Sequence, residues 1–389
     1  LNYATLNTIM FLESIFLENK CRYKYNIILN DKMVISSMLE NIASDPFFRK
    51  VSEKFYRIYR IDKKLIQCLI CERRCVLADG LMGFCWNYVN INGKLYNLAY
   101  GMISALEPRP IEIKPLFHYY PNSIALTFSG WGCNFRCPWC QNYHLSWSKP
   151  LVEASLIIEP DKLIEYAVKT DVHGLCASFN EPTIQPEYLV DIGLASRGKN
   201  LYLTVVTNGY MSLNTLKSLL EAGYTGFSID IKGCPETYRK YLSADPTIVF
   251  RNAKYILDNG GHVEMVYLMV TKANDWGECI EWIIDNHIKY LDEDTPLHIN
   301  KYYPAFKYRE EPTSFSKLLS AYNKARKAGI KYVYIGNIIQ EEYQDTICPK
   351  CGKKLIIRRN YRVVSWNLTP DYRCPRCGYR IRIFGRYIS

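Results

Sequence analysis

The stretch Ile124-Ala125-Leu126-Thr127-Phe128-Ser129-Gly130-Trp131-Gly132-Cys133-Asn134-Phe135-Arg136-Cys137-Pro138-Trp139-Cys140 decides how the chain is read. Its first five residues form a short, mostly apolar run suited to a buried strand; glycines then break the run, and three closely spaced cysteines follow. One loop with that spacing can hold three corners of a metal cluster, and Gly132 lets the backbone turn tightly into it. Outward from this point the pattern repeats. Strands are expected at Ile124 to Phe128, Leu175 to Phe179, Leu201 to Val206, Gly226 to Ile231, Val263 to Val270, Pro296 to Ile299 and Tyr332 to Ile335. Amphipathic helices are expected between them, at Pro160 to Lys169, Glu187 to Ala195, Leu213 to Ala222, Ile248 to Leu257, Glu278 to Ile288 and Phe315 to Ala328. Strict alternation implies a parallel sheet with right-handed crossovers, so the fold class is α/β, a partial TIM barrel of six or seven βα units.

Such barrels place chemistry at the carboxyl ends of their strands. After the three-cysteine loop, those ends carry Asn180-Glu181-Pro182-Thr183, Thr207-Asn208-Gly209, Asp230-Ile231-Lys232, His298-Ile299-Asn300-Lys301 and Gly336-Asn337. Polar and glycine-rich residues therefore recur on one rim. The plainer reading of each is a helix cap or a closed turn.

The 389 residues carry a formal charge of +11 and an apolar share of 48%, ordinary for a globular chain of two or three units. No run reads as a membrane span, and the amino-terminal apolar patch is interrupted by Glu13 with no basic region before it, so neither a membrane association nor a secretory signal is expected. A cytoplasmic location is the expectation. The charge is not evenly spread. From Thr346 to Ser389 eleven basic residues face one acidic residue, Asp371, which puts +10 on the tail and leaves +1 for the rest. The cysteines are grouped too, at Cys68, Cys71, Cys75 and Cys85, at the three-cysteine loop, and at Cys348, Cys351, Cys374 and Cys377. Such spacing points to metal ligation rather than to a disulfide framework. Cys21, Cys176, Cys234 and Cys279 stand apart and read as small buried apolar residues, with Cys234 close to the reactive rim.

A cubane [4Fe-4S] cluster held by three thiolates keeps one iron free of protein, and a metal with an open position is a place for chemistry. Cys133-x3-Cys137-x2-Cys140, with Trp139 before the last cysteine, resembles the radical S-adenosylmethionine (SAM) signature. Further runs narrow the resemblance: Cys68-x2-Cys71-x3-Cys75-x9-Cys85, Tyr100-Gly101, Pro110 to His118, Gln141-Asn142, Phe179 to Thr183, Pro296-Leu297-His298, Val333 to Asn337 and the terminal cysteine pairs. From Cys68 to about Cys377 the chain resembles the AmmeMemoRadiSam system radical SAM enzymes, relatives of glycyl-radical-enzyme activases. The match departs at Glu107-Pro108-Arg109-Pro110, where an Asp is expected before the Pro-Ile-Glu run, and at Ile113, which replaces a lysine.

The resemblance implies a [4Fe-4S] cluster at Cys133, Cys137 and Cys140 that binds SAM and cleaves it to a 5′-deoxyadenosyl radical, which abstracts hydrogen from a substrate. It also implies a reductant of the ferredoxin or flavodoxin type supplying one electron. Carried over, Glu181 looks like the acid that receives the SAM amino group. Thr207 and Asn208 would lie by the ribose, and Asp230 and Lys232 resemble an Asp-x-Lys pair near the SAM carboxylate. His298 matches a histidine that faces SAM, and Asn337 ends the last strand on the same rim. Trp139 could shield the cluster.

Cys348-x2-Cys351-Gly and Cys374-x2-Cys377-Gly are paired knuckles suited to a tetrahedral zinc ion, a zinc-ribbon-like unit. Cys68, Cys71, Cys75 and Cys85 suit either zinc or an auxiliary [4Fe-4S] cluster. In the tail, Arg358, Arg359, Arg362, Arg373, Arg376 and Arg380 are interleaved with Tyr361, Trp366, Tyr372 and Tyr379, which suits RNA or an acidic protein as partner, against the plainer reading of a solvated face. The expected organisation is a helical segment over 1–60, a cysteine-rich extension over 61–120, the barrel over 121–345 and the basic ribbon over 346–389. Two rivals to hydrogen abstraction from a free substrate remain. One is activation of a glycyl radical enzyme; the other is a non-catalytic, metal-stabilised nucleic-acid-binding module, which leaves the three-cysteine loop without a purpose.

Overall fold

The computed structural model describes residues 49–389 apart from Lys63. Its centre is an eight-stranded sheet made of β1 (Ala105–Pro110), β2 (Ile124–Ser129), β3 (Gly174–Ala177), β4 (Tyr202–Thr207), β5 (Tyr224–Ile231), β6 (His262–Met269), β7 (Leu297–Lys301) and β8 (Val333–Gly336). Strands β2 to β8 pair in chain order and in parallel, each with its neighbour. Six longer helices lie between them: α1 (Pro160–Lys169), α2 (Pro186–Ala195), α3 (Leu213–Glu221), α4 (Thr247–Asp258), α5 (Gly277–Tyr290) and α6 (Phe315–Lys327). Each helix turns an apolar face to the sheet. In α1 that face is Leu163, Ile164 and Ala167, whose spacing of one, three and four keeps them on one side of a helical turn.

The partial barrel is therefore as the alternation implies, with one addition. β1 joins the sheet edge antiparallel to β2, and it carries Pro108 and Pro110. Proline cannot donate to a ladder, so a strand with two prolines is tolerated only where one side goes unpaired. β1 and β8 are the two ends of the sheet, and the barrel stays open between them.

After β1 the chain forms a strap over residues 111–123 that closes the amino-terminal end of the barrel. Tyr119 Oη bonds Thr225 Oγ1 at 2.7 Å, and its ring lies over Gly226 so closely that a Cβ there would come within 2.6 Å of it. Only glycine leaves room for that ring. Glu112 is buried and accepts from the Asn122 N–H at 2.7 Å.

Residues 1–48, with Cys21 and most of the expected helical segment over 1–60, lie outside the described residues. Within that expected segment, residues 49–60 are not α-helical: Arg49–Lys50 and Tyr56–Arg60 are strands. Tyr56–Arg60, Leu65–Cys68 and Val76–Leu77 form a small antiparallel sheet that carries the first cysteines. Cys176, Cys234 and Cys279 are buried.

The carboxy-terminal unit is a three-stranded antiparallel sheet, β9 (Thr346–Ile347), β10 (Lys354–Arg359) and β11 (Arg362–Trp366), flanked by the knuckles. Arg358, read from the sequence as part of a phosphate-pairing surface, is instead fully buried. Its guanidinium lies over the Phe117 ring and donates to Phe117 O at 2.7 Å, Gln344 O at 3.0 Å and Thr346 Oγ1 at 2.9 Å, joining ribbon to strap. Arg359, Arg373 and Arg382 are held in ion pairs with Asp345, Asp371 and Asp292. Part of the tail's charge is thus spent on internal pairing. Among the described residues no helix is long and apolar enough to cross a membrane.

Candidate active site

At the carboxyl ends of the strands lies a cavity of about 380 Å³. The loop after β2 supplies Cys133, Cys137, Trp139 and Cys140 to its wall; β3 to β5 supply Glu181, Thr207, Asn208, Asp230 and Lys232; Asn300 and Asn337 come from β7 and β8. Of the residues that the sequence offered as ligands of the SAM-binding cluster or as SAM contacts, all but His298 line this single pocket.

Gly132 turns the backbone into the loop at a φ of +76°, and a Cβ there would come within 2.3 Å of the Cys85 carbonyl oxygen. Any other residue would drive the loop off its support. Arg136 braces the loop from behind, donating to Cys133 O at 2.8 Å and Phe84 O at 2.7 Å. Trp139 is buried edge-on against Tyr241 and Tyr308, which closes one side of the cavity to water. Burial pushes the Cys133 thiol well up, with Glu181 adding to it, and raises Cys137 to about 12. Thiolates in such a place need a multiply charged cation beside them, which iron provides. Three convergent thiols on one loop, a glycine-tight turn and an open cavity fit a cubane cluster held at three corners.

Glu181 is buried at the head of a short turn. Its Oε1 accepts from Thr183 Oγ1 at 2.6 Å and Thr207 Oγ1 at 2.7 Å, and its Oε2 from the Asn208 N–H at 2.7 Å. Burial nevertheless raises its pKa, since the low-dielectric surroundings outweigh these donors. Asn208 reaches back to the cysteine loop, bonding Asn134 Oδ1 at 2.6 Å. Lys232 and Asp230 pair at 2.8 Å; burial disfavours charge on the amine, but Asp230 and Cys137 hold it above its ordinary range.

His298 is the exception. It is absent from the cavity wall and donates from Nε2 to Glu264 Oε2 at 2.7 Å, deep in the amino-terminal half of the sheet, where His262 and the His118 N–H donate to the other carboxylate oxygen. His298 and Asn300 point the same way from β7, but two residues along a strand are about 7 Å apart, so Asn300 reaches the cavity and His298 lies a layer below it. The expectation that His298 faces SAM is corrected accordingly.

Sequence reasoning missed Lys114. It lies on the strap, is 5% exposed, sits over the Phe179 ring and lines the same cavity with Arg109. Burial lowers its pKa. No periodicity marks a residue on a strap that enters a barrel from below. The one sequence signal was its place in the run Pro110 to His118.

The ribbon cysteines are arranged differently. Cys348, Cys351, Cys374 and Cys377 bring their sulfurs all within 4.8 Å of one another, with facing pairs at 3.5 Å and 3.6 Å. Burial opposes a thiolate at Cys374 and the backbone N–H groups of Arg376 and Cys377 favour one, while burial and the neighbouring sulfurs push Cys348 the other way, so four thiolates at this spacing call for a cation among them. That is a set of donors ready for a metal.

Comparison with known proteins agrees with this geometry. The family model described as the Radical SAM superfamily matches residues 129–283. The uncharacterized protein MJ0808 of Methanocaldococcus jannaschii is 36% identical over 326 residues, 83% of this chain and 97% of that protein. The chain belongs to the radical SAM superfamily. A second M. jannaschii protein, MJ1227, which carries the provisional name of a glycyl-radical enzyme activating enzyme, is 24% identical over 57% of this chain and 90% of its own length. Among solved structures, Streptococcus suis SuiB bound to S-adenosylmethionine shares 14% identity with a TM-score of 0.42, covering 57% of this chain and 50% of that one. A radical SAM methyltransferase from Sphaerobacter thermophilus shares 12% identity with a TM-score of 0.44, covering 78% and 81%. The chain spans about half the length of SuiB. Radical SAM membership carries with it a [4Fe-4S] cluster, SAM and the need for an electron donor.

Proposed function

We propose that this radical SAM chain cleaves SAM to abstract a hydrogen atom from a substrate bound in the same cavity. The observation that carries the reading is the convergence of Cys133, Cys137 and Cys140 with Glu181, Asp230, Asn300 and Asn337 on one cavity at the strand ends. The three cysteines would hold the cluster at three corners; with SAM bound, the pair supplies a 5′-deoxyadenosyl radical. Glu181, fixed by Thr183, Thr207 and Asn208, is oriented to accept from the SAM amino group. Lys232 holds Asp230 in place beside the SAM carboxylate region. Trp139 keeps water from the reacting centre. Asn300 and Asn337 face the cavity from the opposite strands and would orient the substrate, and Lys114 brings it a positive charge. The ribbon cysteines suit a tetrahedral zinc ion of structural role.

Anaerobic reconstitution with iron and sulfide, followed by dithionite and SAM, tests the reading. 5′-Deoxyadenosine should form; its absence from a chain that carries the cluster would overturn the proposal. A second reading, activation of a glycyl radical enzyme, draws on the likeness to MJ1227. It requires a glycyl radical signal on an added partner enzyme, and 5′-deoxyadenosine formed without that signal argues against it.

A further inference from the structure

One further group of four cysteines lies outside both the cavity and the ribbon. Cys68, Cys71, Cys75 and Cys85 line one small pocket of their own, with Ile70 and Tyr88 among its apolar walls. Their sulfurs are not spaced as the ribbon's are. A zinc–sulfur bond of about 2.3 Å puts tetrahedral sulfurs about 3.8 Å apart, which the ribbon matches. Among the described residues the ribbon is the sole group of three or more His, Cys, Asp or Glu whose ligand atoms all lie within 4.8 Å of one another. The three-cysteine loop does not pack its sulfurs that closely, as expected where a cubane stands between its ligands and keeps them apart. Among the amino-terminal four, likewise, no three sulfurs all lie within 4.8 Å of one another, yet the four line one pocket. That combination fits a cluster and not a single zinc ion.

The two cysteine sites share a wall. Asn134, the residue after Cys133, lines the amino-terminal pocket beside Cys71, and its buried Nδ2 has no partner among the described residues. Arg73 donates to Asn134 O at 2.5 Å, and the Cys85 carbonyl packs on Gly132. Asn134, one peptide unit from Cys133, thus stands in the wall between the two sites.

We propose that Cys68, Cys71, Cys75 and Cys85 hold a second [4Fe-4S] cluster that passes single electrons to the three-cysteine site. The proposal rests on that site holding the SAM cluster. Four thiolates leave no iron open to substrate, so electron transfer is the chemistry that remains. A reduced flavodoxin or ferredoxin is oxidised by one electron, the second cluster is reduced by one and reoxidised as it hands that electron on, and no bond or proton changes place.

The chain with Cys133, Cys137 and Cys140 replaced together by Ala separates the two sites. After anaerobic reconstitution it should keep about four iron atoms per chain and show the EPR signal of a reduced cubane. Zinc in their place, or no iron at all, would overturn the second cluster. Mixed with reduced flavodoxin, the same variant should take up one electron; no uptake overturns the relay. In a Cys75→Ser variant of the otherwise intact chain, the ratio of flavodoxin-driven to titanium(III)-citrate-driven SAM cleavage should fall at least about tenfold, because the small reductant reaches the three-cysteine site without a relay. An unchanged ratio also overturns the relay. Absence of SAM cleavage in the wild-type chain would overturn the proposed function while leaving the iron result of the triple variant standing, so the two failures are distinguishable.

Discussion

The ribbon and the three-cysteine loop use the same side chain for opposite ends. In the ribbon, two knuckles face each other and four sulfurs close on a point, so every ligand position is filled by protein. In the loop, three sulfurs come from one turn at the end of a strand, and the remaining space opens on a cavity lined by carboxylate, amide and amine groups. A closed set of thiolates stabilises a fold; an incomplete set beside a cavity can bind and activate a small molecule. Position in the fold makes the difference, because strand ends of a βα barrel aim side chains at a common space and a hairpin knuckle aims them at its partner.

The largest effect should follow from breaking the open site. Replacing Cys133, Cys137 and Cys140 by Ala is expected to abolish 5′-deoxyadenosine formation and leave thermal unfolding close to wild type, since the loop is braced by Arg136 and Gly132 rather than by the sulfurs. Retained SAM cleavage would erase the contrast. Cys348→Ser with Cys374→Ser should do the reverse. Metal binding in isolated zinc peptides is worth on the order of 10 kcal/mol, so loss of the ribbon metal should lower the melting temperature sharply, with activity per cluster-loaded folded chain preserved.

Arg358→Met tests the joint between the two regions. The guanidinium's three donated bonds end at Phe117 O, Gln344 O and Thr346 Oγ1; its removal strips the two carbonyls of this donor, while Thr346 keeps Tyr334 Oη at 2.9 Å. A loss of about 3–5 kcal/mol is expected by denaturant titration, with the ribbon's metal retained. Smaller again is the effect of Glu112, which burial moves from an ordinary 4.5 to about 7, with Arg358 opposing. The folded chain holds this proton more tightly than the unfolded chain does. Its contribution to stability is therefore complete below about pH 4 and is lost as pH rises through 7, a change of about 3 kcal/mol. Glu112→Gln should flatten the fall in melting temperature between pH 5 and pH 8; an unchanged profile would place the titration elsewhere.

The barrel was legible because each βα unit repeats one pattern. Leu163, Ile164 and Ala167 announce a helix by spacing, and Ile124 to Phe128 a strand by length and composition. β1 was not legible. Its two prolines argue against a strand, and only the freedom of a sheet edge admits them. Within the site, Glu181 and Asp230 could be read because they follow strands directly. His298 misled because strand direction places it on the correct side of β7 but at the wrong depth, where Glu264 was waiting as a partner from β6. Lys114 escaped for the opposite reason, since its placement depends on a strap whose path no local pattern encodes.

That strap has a consequence for how the molecule is made. His118 bonds the carbonyl of Arg382, 264 residues further along, and Phe384 bonds His118 and Tyr120 in return. At about 5–20 residues per second, synthesis leaves the lower mouth of the barrel without its seal for roughly tens of seconds after the strap emerges. All seven parallel strands and the three-cysteine loop are complete before the seal arrives. The barrel is thus a vessel whose floor is fastened last.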